Sequence, residues 1–299
     1  MSEKTHSVSP IVDDLSQFKV ALSLPCMRCC YELKNLSASG DCPECGEPIR
    51  LTIIETVDPA SRRLPVIEQP KAIGNALLGI VLAFFLSAIL ALLALFAQAP
   101  SNFPVAPFAH VLPMSGLIWG AIGLGLLSVW CLNPMFGMCQ RGELVGCLTG
   151  IKFTMSGLLF WSFSLLLAIL FALNGKSTYS EFSILFDTFL PALSAGCVFV
   201  GFKKLIPRLG QRSRAFRQAR GSRQRMNDLI AGLVFVLIGR TMIAVGGPDS
   251  NMEVLGLTLF LMSNGLIVLG LLYLLRNTLW IRSALIEPPP ALTSLLKPI

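Results

Sequence analysis

Charge is what this 299-residue chain is shortest of. Only 14% of its residues are Asp, Glu, Lys or Arg, and 54% are hydrophobic, whereas globular chains carry about 25% charged and about 45–50% apolar residues. The shortfall is concentrated in blocks, which excludes an ordinary soluble fold. Ile73–Ala97, Met114–Leu132, Phe153–Leu173 and Val254–Leu275 contain no charge, and Phe182–Phe202 and Leu229–Gly247 contain one charged residue each. Catalytic signatures are missing too. There is no HExxH, GxSxG, P-loop or Rossmann fingerprint, so no reaction class can be read from a motif. The first 25 residues have no long apolar core ending in a small-residue cleavage site, so the first apolar block is expected to act as the targeting signal. Histidine is scarce: there are two, and His110, alone in a proline-rich segment, reads as a solvated loop residue.

Six long apolar blocks are present. A helix rises 1.5 Å per residue, so about 20 apolar residues cross a hydrocarbon core of roughly 30 Å. The expectation is an all-α transmembrane bundle of six helices, with spans 73–97, 114–132, 153–173, 182–202, 229–247 and 254–275. Around it stand a disordered tail 1–18, a small β module 19–57, a proline-containing linker 58–72, a transmembrane domain 73–282 and a C-terminal tail 283–299. Gly116 and Gly120, and Gly232, Gly239 and Gly246 at heptad spacing, mark stripes where helix backbones approach closely.

Orientation follows from basic residues in the connections. With the N-terminal side in the cytoplasm, seventeen Lys and Arg from residue 58 onward fall on the inner side and only Lys176 on the outer. Both ends are then cytoplasmic, in a cell inner membrane. The net charge of +7 follows mostly from this bias and argues only weakly for nucleic acid.

The second feature is a run of cysteines. Cys26 and Cys29 form one Cys-x-x-Cys pair, and Cys42 and Cys45 form another twelve residues on. Two such pairs bring four thiolates around Zn²⁺ in a closed tetrahedron, a structural rather than a catalytic site. Gly40, Asp41, Pro43 and Gly46 supply turn residues at the second pair, and Lys19–Leu24 and Ile49–Val57 have the β-branched character of flanking strands. Disulfides are disfavoured in a reducing cytosol; another metal, or redox chemistry, is the lesser alternative. The remaining cysteines, Cys131, Cys139, Cys147 and Cys197, read as small buried hydrophobes.

These residues resemble the short zinc ribbon at the N-terminus of many uncharacterised bacterial multi-spanning membrane proteins. Cys26, Cys29, Tyr31, Leu33, Leu36, Cys42, Pro43, Cys45 and Gly46 match its pattern, and Cys30 stands where the pattern has glycine. The resemblance covers about 25 residues and implies a metal-binding module, not an activity.

Two charge features remain. Residues 203–227 carry Lys203, Lys204, Arg208, Arg212, Arg214, Arg217, Arg220, Arg223 and Arg225 with no acidic residue. They are expected to lie as a cytoplasmic helix pair against anionic lipid headgroups, at about 1 kcal/mol of attraction per basic residue. Phe216 is the one aromatic there, too few for a base-stacking surface, so a nucleic-acid partner is disfavoured. Within the spans, Asp187 and Arg240 are expected at similar depth and paired, since each alone in hydrocarbon costs about 2.5–3.5 kcal/mol; Pro191 is expected to kink the helix beside them. The expected function is non-enzymatic, with the zinc ribbon docking a cytoplasmic protein. The alternative is a small-solute or ion transporter built on Asp187 and Arg240.

Topology reporters fused after residues 110, 176 and 249 are expected to register the outer side, and those after 145, 215 and 290 the cytoplasm. An inner connection that registers outside would overturn the orientation.

Overall fold

The computed structural model describes residues 15–97, 114–140, 146–173, 188–219, 223–246 and 250–299. The chain divides into two compact units, one of residues 1–64 with 287–299, the other of residues 65–286.

The larger unit is mostly helical in its described residues. Its elements are α3 (Pro70–Ala97), α4 (Met114–Trp130), α5 (Asn133–Gln140), α6 (Cys147–Leu173), α7 (Leu190–Gly210), α8 (Arg214–Gln218), α9 (Met226–Gly246) and α10 (Asn251–Ile286). Six of its helical segments are long and apolar enough to cross a membrane, which defines a multi-pass membrane protein. Hydrocarbon offers backbone N–H and C=O groups no partner, so each span satisfies its own as a helix.

Hydrophobicity cannot pull helices together in lipid; close backbone packing does. The glycine stripe of α9 meets α10 in this way. A Cβ on Gly239 would lie 2.8 Å from the carbonyl oxygen of Gly256 and from the nitrogen of Phe260. A second pair of stripes joins α6 to α7, where a Cβ on Gly157 would stand 2.7 Å from the Val198 nitrogen and one on Gly201 2.7 Å from the Thr154 nitrogen. Between the helices, the Phe84 ring meets Trp161 edge-on at 5.5 Å and Phe199 at 6.0 Å. The Trp161 indole donates to Ser87 Oγ at 2.8 Å, and that hydroxyl donates to the Ala121 carbonyl at 2.6 Å. The tryptophan N–H is thereby satisfied far from water.

The sequence-based boundaries need three corrections. The fourth span was expected at 182–202, but α7 runs through Lys203, Lys204 and Arg208 to Gly210. Charge does not stop it, because Leu205, Ile206 and Leu209 keep a buried face while Lys203 and Lys204 are exposed on the opposite one. The sixth span, expected at 254–275, is a 36-residue helix, about 54 Å long at 1.5 Å per residue. Arg276 lies over the Tyr273 and Trp280 rings at 4.9 and 4.8 Å, and Arg282 Nε donates to Asn75 Oδ1 at 2.7 Å. Pro191, expected to kink the helix, follows two π-helical residues, Thr188 and Phe189, at the start of α7; Asp187, whose carbonyl its missing N–H would have bonded, lies outside the described residues. The linker 58–72 is partly helical, holding α2 (Pro59–Arg62) and the start of α3 at Pro70.

Gly239→Val is expected to destabilise the α9–α10 hairpin by about 1–3 kcal/mol through overpacking against backbone. Gly265→Ala, where nothing lies within 4 Å of an added Cβ, should be neutral or mildly stabilising. Thermal unfolding in detergent distinguishes the two; equal effects would remove the packing assignment.

Candidate metal centre

The smaller unit contains β1 (Phe18–Val20), α1 (Ile49–Val57), α2, α11 (Leu292–Leu295) and β2 (Leu296–Pro298). Its cysteine loops are built twice on one plan. In the first, the Cys26 N–H donates to the Tyr31 carbonyl at 2.8 Å and the Cys30 N–H to the Cys26 carbonyl at 2.9 Å. In the second, Cys42 donates to Glu47 at 2.8 Å and Gly46 to Cys42 at 2.9 Å. Each loop closes in the left-handed region, with φ 62° at Cys30 and 69° at Gly46. Glycine tolerates that conformation, whereas cysteine there costs roughly 1–2 kcal/mol. The departure from glycine at Cys30 is therefore a strained equivalent of Gly46.

The two loops bring Cys26, Cys29, Cys42 and Cys45 together, their four sulfurs within 4.8 Å of one another. Cys26 Sγ lies 3.7 Å from Cys45 Sγ and Cys29 Sγ 3.5 Å from Cys42 Sγ. A ZnS₄ tetrahedron with bonds of about 2.3 Å has edges of about 3.8 Å. The donor set thus fits a tetrahedral thiophilic ion, and Cys30, exposed, is not part of it.

Backbone N–H groups face the sulfurs. Those of Cys29 and Arg28 point to Cys26 and hold its thiol down at about 6. The Tyr31 N–H also lowers Cys29, but burial and hydrogen bonds with Cys45, Cys42 and Cys26 together outweigh it and push that thiol up to about 12. Cys45, lowered by the Glu47 N–H, is raised on balance by burial and its sulfur neighbours. Four thiols this close cannot all ionise without a cation between them. The cluster is shaped to lose its protons to a metal.

Around the cluster the expectation of flanking strands is half corrected. A strand forms at Phe18–Val20, but Ile49–Val57 is the helix α1. Ile49, Ile53 and Val57 recur every four residues and are buried together, so the helical period prevails over β-branched propensity. The partner of β1 is β2, antiparallel, with Lys19 opposite Lys297. The tail 283–299 is likewise corrected: Ala21 N–H donates to the Leu295 carbonyl at 2.7 Å and Ile299 N–H to Gln17 at 2.9 Å. Leu295 and Leu296 are buried in one core with Cys26, Cys42, Leu33 and Ile53. Sequence reasoning missed this contribution. The sign available was a leucine cluster, Leu292, Leu295 and Leu296, after three consecutive prolines. Glu32 ties the first loop, accepting from Ser23 Oγ and from the Leu24 and Lys34 N–H groups.

The other candidate residues do not form a second centre among the described residues. Asp187 lies outside them, so the Asp187–Arg240 pairing has no geometry here; Arg240 is half-buried on α9. Lys203, Lys204 and Arg208 belong to α7, Arg214 and Arg217 to α8, and Arg220 lies outside the described residues. Arg212 donates to the Pro65 carbonyl and Arg217 to that of Gln211, so these two guanidinium groups are partly engaged in the fold. Arg223 covers the Phe216 ring at 4.9 Å, and Phe216 is buried, so no base can stack on it. The expected helix pair is one short helix, α8, after an extended α7. His110 lies outside the described residues.

Comparison with protein-family models, with curated proteins and with solved structures finds no match to this chain.

Cys42→Ser in the full chain is expected to abolish tight Zn²⁺ binding, and deletion of residues 287–299 to weaken it by opening the module core. Cys30→Gly should retain the metal and raise module stability by about 0.5–1 kcal/mol through relief of the left-handed strain. Zn²⁺ affinity should rise with pH, because Cys29 holds its proton at neutral pH and the ion must displace it. Competition with a chromophoric chelator measures all four effects. Loss of metal in Cys30→Gly equal to that in Cys42→Ser would overturn the ligand assignment.

Proposed function

We propose that this chain is a non-enzymatic protein of a bacterial inner membrane, with both ends cytoplasmic, in which Zn²⁺ on Cys26, Cys29, Cys42 and Cys45 folds a module that docks a cytoplasmic protein. The observation that carries this reading is an apolar surface beside a coordination sphere with no free position. Met27 and Tyr31, on the first cysteine loop, are 51% and 39% exposed, and Leu51 and Ile54, on α1, are 42% and 50% exposed. The Met27 N–H reaches Thr52 Oγ1 at 3.4 Å, which sets the loop against the helix. Side chains of this kind, left uncovered on a module this small, mark an interaction site. Four thiolates saturate the ion, so it would contribute folding energy and leave no site for substrate. The seventeen-to-one basic asymmetry supports the cytoplasmic placement, and the exposed Lys203, Lys204 and Arg225 support contact with anionic headgroups.

A path for a polar solute has less support. The cavity among the spans is lined almost wholly by apolar side chains, which give a hydrated solute nothing in exchange for its water.

A photoreactive residue at Met27 or Ile54 is expected to yield one discrete cross-linked product in cells, lost in the Cys42→Ser background. The same residue at the exposed Lys34 should give none. Products from Met27 and Ile54 that contain only lipid or a second copy of this chain would refute docking of another protein.

A further inference from the structure

The bundle is not packed evenly along its length. At the end where α5 and α8 lie, Leu132, Met135, Met138, Leu205, Leu209 and Leu274 are all fully buried. Towards the other end a cavity, partly open to the surroundings, lies among the helices. Every span contributes to its wall: Phe84 from α3, Ile118 from α4, Trp161 from α6, Ala195 from α7, Leu233 from α9 and Leu271 from α10. Small side chains create the space, with Ala88, Ala91 and Ala94 on α3 facing Ala192 and Ala195 on α7 across it.

We propose that this cavity holds one acyl chain of a membrane phospholipid. The lining supports that occupant. Its wall is mostly apolar with a few placed polar groups, as in ligand sites. Among the described residues the lining holds no charged side chain, so these give neither an ion nor a charged metabolite a partner. An apolar void of this kind stays dry, and leaving it empty forfeits the dispersion contacts of its lining. The surrounding solvent that can fill it is lipid hydrocarbon.

The polar groups of the wall fix which way the chain enters. The Trp161 indole N–H is satisfied by Ser87, and Asn264 Nδ2 donates to the Phe260 carbonyl at 2.8 Å. Thr188 is different. It lines the cavity just before α7, is 4% exposed, and its hydroxyl has no hydrogen-bond partner among the described residues. A buried unpaired hydroxyl is costly, and the ester carbonyl of a phospholipid satisfies it. From Thr188 to Phe199 at the inner end is eleven residues, about 16 Å of helix. That is close to half of a hydrocarbon core of roughly 30 Å. The slot therefore has the depth of one leaflet, with its hydrogen-bonding end where the ester belongs. The α9–α10 hairpin is the least buried wall, with 17% and 22% of its apolar stretches buried against 56% for α7, and its seam with α7 is the lateral entrance.

The test uses the native tryptophan of the wall. Of the four tryptophans, Trp161 is 7% exposed while Trp119 is 54% exposed. The full chain carrying Trp119→Phe, Trp130→Phe and Trp280→Phe is reconstituted in phosphatidylcholine with brominated or ordinary acyl chains. An acyl chain in the cavity should quench Trp161 at least twofold despite its burial. Ala195→Phe, which fills the slot, should cut that quenching at least threefold, while a chain keeping only Trp119 stays unaffected by Ala195→Phe. The unaltered chain, weighed intact by native mass spectrometry after delipidating detergent exchange, should retain one phospholipid. Weak quenching of Trp161, quenching unchanged by Ala195→Phe, or a retained lipid without an acyl chain would each overturn the proposal. Should Ala195→Phe fail to fold, the retained-lipid measurement on the unaltered chain decides: no retained phospholipid overturns it.

Discussion

Hydrocarbon cannot hydrogen-bond a peptide group, and most of this structure follows from that constraint. A stretch of some twenty uncharged residues has only the helix open to it in such a solvent. Once six such helices exist, the hydrophobic effect no longer sorts them, because lipid is as apolar as their own leucines. What remains is contact. The α9–α10 and α6–α7 pairs are formed where glycine lets carbonyl oxygens and amide nitrogens of neighbouring helices come within van der Waals range. Most buried hydroxyls and the Trp161 indole are then spent on backbone carbonyls or on one another, Ser162 and Thr188 being the exceptions among the described residues. The cavity is the converse case: alanines open a gap that no side chain fills.

The smaller unit obeys a different rule. It has a short two-stranded sheet, a nine-residue helix and a core of eleven buried residues, which is little apolar area for independent stability. A metal held on the four sulfurs at tetrahedral spacing would make up that deficit. The cluster and the hydrophobic core are continuous through Cys26 and Cys42. The C-terminal leucines complete the same core, so segments more than 270 residues apart in sequence share one core with the cysteine cluster.

Particular residues show where reading the sequence succeeds. The four ligands were legible because each Cys-x-x-Cys pair makes its loop locally, with turn residues in the required places. Cys30 was legible as an anomaly, and its left-handed φ explains the glycine otherwise expected. The spans were legible because hydrocarbon reads composition over twenty residues and ignores detail. Their ends were less so. Lys203, Arg276 and Arg282 lie inside helices, since long cationic side chains reach water or an aromatic ring without breaking backbone hydrogen bonds. Ile49–Val57 was misread because its residues suit a strand and a helix equally by period, and only the core beneath it selects the helix.

By itself, the sequence determined the solvent of each segment, the number of spans and the set of four clustered cysteines, because all three are properties of composition or of residues near one another in the chain. Only the tertiary structure decided the rest. It paired β1 with a strand 276 residues away, made α1 a helix, set the Gly239 and Gly201 contacts, and opened a cavity whose wall draws on all six spans. Each of these depends on which surfaces meet across long chain separations, and such contacts leave no local periodicity to be read.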